Sequence, residues 1–165
     1  MFRLSLISSP ENFAGEHEIL EQMFERGLQM LFARKPQMPE ALLDRWLAGF
    51  DIKWHNNILP WIGSAHSFGE LEKIEADICF LSPVFDSISK FGYKSKFGKQ
   101  ELRDGIAAWR EHNHTPLLFA LGGVEAGNLA ELAELGFDGA AVLGAVWHNP
   151  DPVGAWEEIL SRCPD

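Results

Sequence analysis

Six short, nearly continuous apolar runs, each followed by a stretch with helical spacing, constrain this chain more than any single motif does. The runs are Phe2 to Ser8 (FRLSLIS), Gln29 to Lys35 (QMLFARK), Trp61 to Ser67 (WIGSAHS), Ala76 to Phe85, Pro116 to Leu121 (PLLFAL) and Phe137 to Val146 (FDGAAVLGAV). A strand with one wet face alternates apolar and polar residues. A continuous apolar run is covered on both faces, as in a parallel sheet flanked by helices. The intervening segments fit that picture. In GEHEILEQMFER, Ile19, Leu20, Met23 and Phe24 fall on one helical face, and Gly27 closes the helix. Pro39 suits the first turn of a helix over PEALLDRWLAG. Phe68 to Glu75, Gln100 to Glu111, Asn128 to Leu135 and Asp151 to Arg162 complete the set. Residues 51–60 (DIKWHNNILP) have no clean period and read as a loop, or as a loop followed by a poor strand. The repeated β-α order gives a doubly wound sheet or a (β/α) barrel. Ser8-Ser9-Pro10 stands where a dinucleotide-binding turn would need glycines, so the dinucleotide reading is weak.

In either architecture the carboxyl ends of the strands share one face, where ligands sit. Several of these ends carry ligand-type residues. The second run ends in Arg34-Lys35 and the third in Ser64-Ala65-His66-Ser67. The fourth runs into Asp86-Ser87-Ile88-Ser89-Lys90, the fifth into Gly122-Gly123, and the last carries Gly144. Hydroxyls, backbone N–H groups and a lysine suit an oxygen-rich anion such as a phosphate. Glycines there let the chain approach a ligand closely.

The rest of the composition narrows the partners. The chain has 165 residues, a length suited to one domain over 1–165 with its own core. Its formal charge of −10 argues against nucleic acid and anionic membrane surfaces, so an anionic substrate needs a local cluster of positive groups. Cys79 and Cys163 form no C-x-x-C pair and fit a reducing compartment, with Cys79 a small buried hydrophobe. No apolar run has the length of a signal-peptide core or a membrane span, and the cytoplasm is the expected location.

The motifs SAHS, SPVFDSISK, ALGGV and GAAVLGAVW, in that order, resemble the second half of thiamine-phosphate synthases and their thiazole-tautomerase (TenI-type) relatives. LFARKP resembles that family's second strand. The resemblance implies an α/β, TIM-barrel-like fold of parallel strands, here shortened to about six βα units. It implies a transferase that joins hydroxymethylpyrimidine pyrophosphate to thiazole phosphate and releases pyrophosphate, with Mg2+ present. The alternatives are a catalytically impaired relative that binds thiamine-pathway phosphates, and a tautomerase-like isomerase.

By the same resemblance, Arg34 contacts pyrophosphate, Ser64 lies close to the reacting groups, and Lys90 stabilises the departing pyrophosphate. Ser87 and Ser89 stand for two threonines that contact the phosphate-bearing substrates. Gly122, Gly123, Leu143 and Gly144 hold the thiazole phosphate. His66 is shared by many members of both groups. Phe32 stands where the synthases often carry glutamine or histidine. By this resemblance the tautomerase's catalytic histidine falls at Pro83, where the synthases also carry proline, which favours the synthase.

Two strands of the family are missing between the second helix and SAHS. That region normally supplies two metal-binding aspartates and an asparagine, so the usual Mg2+ ligands are absent. Asp51, Asn56, Asn57 and Asp86 are candidate substitutes. A barrel shortened in this way can close smaller or leave two open edges. Open edges attract a second copy of the chain, so a homodimer, or cover by residues 51–61, is expected.

Overall fold

Continuous burial makes the strands pair in parallel, and the register is set by which residues face inward. The structure, a computed structural model, describes residues 1–86, 94–95, 97–113 and 115–165. Its strands are β1 (Arg3–Ile7), β2 (Leu31–Ala33), β3 (Ile58–Pro60), β4 (Ile78–Leu81), β5 (Leu117–Ala120) and β6 (Gly139–Val142). The helices are α1 (Glu16–Glu25), α2 (Glu40–Ala48), α3 (Phe68–Leu71), α4 (Lys99–His112), α5 (Leu129–Leu135), α6 (Gly144–Trp147) and α7 (Pro152–Ser161). All the pairings are parallel, in the order β3-β2-β1-β6-β5-β4.

The sheet curls into a TIM-barrel-like layer. Three strands separate β2 from β4 in the ladder, yet the rings of Phe32 and Phe80 meet at 4.9 Å, edge to face. A flat sheet would hold them more than 10 Å apart, because strands are spaced about 4.8 Å. Among the described residues, the segment after β3 touches β4 at one bridge, between Ala65 and Leu81. There the Ala65 N–H donates to Phe80 O at 2.8 Å, and the Ser82 N–H donates to Ala65 O at 2.9 Å. The period of 2 then sorts the side chains. Ile7, Phe32, Phe80, Phe119 and Ala141 form an inner cluster, joined by Leu59 and Trp61. Their chain neighbours Leu6, Leu31, Cys79, Leu118 and Ala140 pack outward against the helices. Cys79 is fully buried, and burial pushes its thiol pKa up.

Two strand boundaries differ from the sequence reading. The third strand lies at Ile58–Pro60, not over 61–67, and a 3-10 helix over Ile52–Asn57 precedes it. The pairing of Leu31 with Ile58 and Ala33 with Pro60 decides this, while Gly63 at φ +96° turns the chain out of the strand. The unpatterned segment thus supplies a strand of the sheet. The last run is a strand only to Val142. From Gly144 it winds into α6, whose Trp147 indole N–H donates to Ile7 O at 2.8 Å.

Arg34 and Lys35 do not leave β2 together. Lys35 turns into the helix layer, where Nζ lies 2.6 Å from both carboxylate oxygens of Glu16. It also donates to Glu11 O and sits over the Trp46 ring at 4.8 Å. Both charged side chains are almost wholly buried. Burial raises the Glu16 pKa and lowers that of Lys35, with their mutual attraction working against each shift. Both shifts run toward the neutral form, so the pair fixes the chain more than it stabilises it. Glu16→Ala, which strands the lysine, is expected to cost about 3–5 kcal/mol in urea unfolding. The double change Glu16→Leu with Lys35→Met recovers most of that loss, because it leaves no buried charge alone; a double variant as unstable as the single would contradict this account.

The turn after β5 needs its glycines. Gly122 and Gly123 have φ of +91° and +66°. A Cβ on Gly122 would lie 2.8 Å from Pro83 Cα, and one on Gly123 would run into Asp86 O and Phe85. The turn is held by Val84 N–H donating to Leu121 O at 2.9 Å and Phe85 N–H to Gly122 O at 3.1 Å. Gly122→Ala is therefore expected to lower stability by about 1–3 kcal/mol in the same assay.

Candidate functional site

A cavity of about 360 Å3 opens among the residues that follow the strands at their carboxyl ends. Arg34, Ser64, His66, Gly122 and Gly123 line it, with Leu143 and Gly144. These seven, drawn from four separate strand ends, are brought together by the curl of the sheet. Ser87, Ser89 and Lys90 lie outside the described residues. Pro83, on the approach to them, also lines the cavity.

Each lining group is held by its own local structure. Ser8, fully buried, grips the Arg34 backbone from both sides. Its Oγ accepts from the Arg34 N–H at 2.8 Å and donates to Arg34 O at 3.1 Å. With Lys35 drawn into the helix layer, Arg34 faces the cavity. Ser64 sits between the bend at Gly63 and the bridge at Ala65. His66 Nδ1 lies 2.9 Å from Ser82 O, a group that can only accept, so Nδ1 carries the proton. That leaves Nε2 as the ring's other polar atom. The His66 backbone N–H donates to Glu70 Oε2 at 2.7 Å. At α6 the first backbone N–H groups, those of Gly144 and Ala145, have no intrahelical partner and stand at the cavity wall.

The electrostatics are local. Among the described lining residues Arg34 is the one cation, and no carboxylate is present, although the chain carries a formal charge of −10. Hydroxyls, free N–H groups and a guanidinium are donors, and such a set receives an anion. It does not receive a magnesium ion, which takes carboxylate and other oxygen ligands. Among the described residues no group of three or more His, Cys, Asp or Glu is placed to hold a metal. The candidate substitutes are engaged elsewhere. Asp51 caps the 3-10 helix, accepting from the Lys53 N–H at 3.0 Å, and Asn57 donates to Gln29 O at 2.9 Å. Asn56 is exposed on that helix. Asp86 accepts from the Ser95 N–H at 2.8 Å in a neighbouring hollow.

Sequence reading missed Trp61, Ser82, Ile7 and Ala141, which also line the cavity. Ser82 was visible as a lone hydroxyl within the apolar run ICFLSPVF. Trp61 carried no signal, because its orientation depends on where β3 ends. Among the described residues, no helix is long and apolar enough to cross a membrane.

No family model matches the chain. A Geobacter sulfurreducens protein, provisionally named a thiamine-phosphate synthase, is 33% identical over 89 residues, 54% of this chain and 39% of its own length. The thiamine-phosphate synthase of Vibrio campbellii is 30% identical over 91 residues, 55% of this chain and 42% of its own. The matched part therefore spans about two fifths of these relatives. The crystal structure of thiamine phosphate pyrophosphorylase from Bacteroides thetaiotaomicron superposes with a TM-score of 0.79 at 24% identity, covering 98% of this chain and 97% of that one. The chain is thus similar in sequence to thiamine-phosphate synthases over about half its length, and shares the TIM-barrel-like fold of a thiamine phosphate pyrophosphorylase over nearly all of it.

Proposed function

We propose that the chain is a thiamine-phosphate synthase-like transferase, joining hydroxymethylpyrimidine pyrophosphate to thiazole phosphate and releasing pyrophosphate in the cytoplasm. The observation that carries this reading is one cavity that gathers Arg34, Ser64, the Gly122-Gly123 turn and the first turn of α6. In this reading the pyrimidine methylene parts from pyrophosphate as a cation, and the thiazole nitrogen supplies the electron pair for the new bond. Negative charge grows on the leaving group, and donors already aimed at it lower the barrier. Arg34 offsets that charge, and Ser64 holds the group in place. Lys90 completes the clamp with Ser87 and Ser89. The N–H groups of the glycine turn and of α6 receive the thiazole phosphate beside Leu143, with His66 Nε2 at the rim.

Magnesium is the usual partner of this chemistry, but the described donors do not fit it. No step above is routed through a metal. The same observation favours a second reading, a relative that binds thiamine-pathway phosphates without turning them over. Pro83, where the tautomerase carries histidine, leaves the isomerase reading without its proton-transfer group.

Calorimetry separates the two main readings. For the synthase, thiazole phosphate binds, and pyrophosphate binds as a second event, with thiamine phosphate formed when both true substrates are supplied. Arg34→Ala weakens pyrophosphate about tenfold or more, as expected for a lost charged hydrogen bond. Lys90→Ala lowers turnover about a hundredfold or more while the fold is unchanged by circular dichroism. Binding of thiazole phosphate alone, without turnover, leaves the phosphate-binder.

A homodimer is part of the proposal. β3 is a short edge strand, among the described residues the bridge to β4 is made by Ala65 beyond its end, and Ile62 between the two is 50% exposed. Size-exclusion chromatography with light scattering is expected to give twice the 18.5 kDa chain mass; a monomer at working concentration rejects it.

A further inference from the structure

The cavity lining is chemically mixed. Arg34, Ser64 and the glycine turn supply polar groups. Trp61 supplies a flat apolar surface, and among the described lining residues it is the only large aromatic side chain apart from the His66 imidazole. The indole is half-buried. Its ring packs on Phe80 at 5.0 Å and on Phe32 at 6.4 Å, and both phenylalanines are fully inside. The backbone fixes it as well: the Trp61 N–H donates to Ala33 O at 3.3 Å, next to Arg34 on the neighbouring strand. A rigid aromatic surface therefore stands one strand away from the cavity's cation.

We propose that Trp61 is the surface on which a planar heteroaromatic ring stacks, so that it selects ring-bearing phosphates over bare ones. An anion held by Arg34, Ser64 and the glycine turn leaves an attached flat ring within the same cavity as the indole. Offset stacking on an aromatic face is favourable and adds to the area it buries. The phenylalanines behind the indole block deeper entry, so the ring lies on Trp61 and does not pass into the barrel interior. Trp61 comes from the segment that crosses the gap between β3 and β4, so the shortened barrel builds this wall from its own closure. The identity of the probe below rests on the synthase reading; the wall itself rests on the cavity.

The test compares hydroxymethylpyrimidine pyrophosphate with inorganic pyrophosphate, by calorimetry, on the full chain, Trp61→Leu and Trp61→Phe. Leucine keeps apolar bulk without an aromatic face, and thermal melts confirm that each variant is folded. The expected result is about a tenfold loss for the pyrimidine ligand in Trp61→Leu. Inorganic pyrophosphate is expected to bind unchanged, and Trp61→Phe to keep most of the affinity. Equal weakening of both ligands means a structural role only and overturns the proposal. Unchanged binding of both overturns it too. If the unaltered protein binds inorganic pyrophosphate but gains nothing from the pyrimidine, the stacking wall is rejected while the anion site stands. If it binds neither, the synthase reading and the wall fall together.

Discussion

The contact between Phe32 and Phe80 is what the rest of this molecule depends on. These side chains come from strands near opposite ends of the ladder, and they meet edge to face in the interior. Phe119 packs onto Phe80 from β5, and Trp61 does so from just beyond the end of β3. A ring of six strands is narrow, so a few aromatic side chains suffice to fill it, and close packing of such groups is worth several kcal/mol each. With the interior filled, the open space lies beyond the strand ends, where the cavity is. Phe32 thus has a packing role, filling the interior where the sheet curls.

The two basic residues after β2 show how pleating divides labour. Adjacent residues on an extended chain face opposite sides. Lys35 goes to the helix layer and is neutralised by Glu16, while Arg34 stays in the cavity with its backbone clamped by Ser8. The buried pair and the serine clamp together hold the peptide that carries the guanidinium. In an acidic chain, Arg34 among neutral donors makes a local positive site that the overall charge opposes. The glycine turn after β5 serves structure and site at once. Positive φ and close approach to Pro83 and Asp86 exclude side chains there, and the bare backbone that results is what faces the cavity.

Much of the candidate site was legible because its residues follow strands, and strand ends in a parallel sheet share a face whatever the exact curl. Arg34, Ser64, His66, Gly122, Gly123, Leu143 and Gly144 all line one cavity on that account. Trp61 and Ser82 were not legible as site residues. Their facing depends on where each strand ends, and a shift of one residue reverses the face. Ile58–Pro60 was obscured for a related reason: three residues are too few to show a period, and their place is fixed by pairing with Leu31, Phe32 and Ala33. α6 was hidden inside an apolar run because GAVW suits a buried helix turn as well as a strand.

What the sequence by itself determined was the βα order, the parallel sense of the sheet, and the chemistry present at each strand end. Those properties follow from short-range patterning: continuous apolar runs, helical spacing between them, glycines and hydroxyls just beyond. Tertiary structure alone decided how six strands curl, that the segment after β3 meets β4 at Ala65 and Leu81, and that an indole walls the cavity beside Arg34. Those outcomes come from packing between residues far apart in the chain, where the volume of Phe32, Phe80 and Trp61 sets the curvature and no local pattern records it.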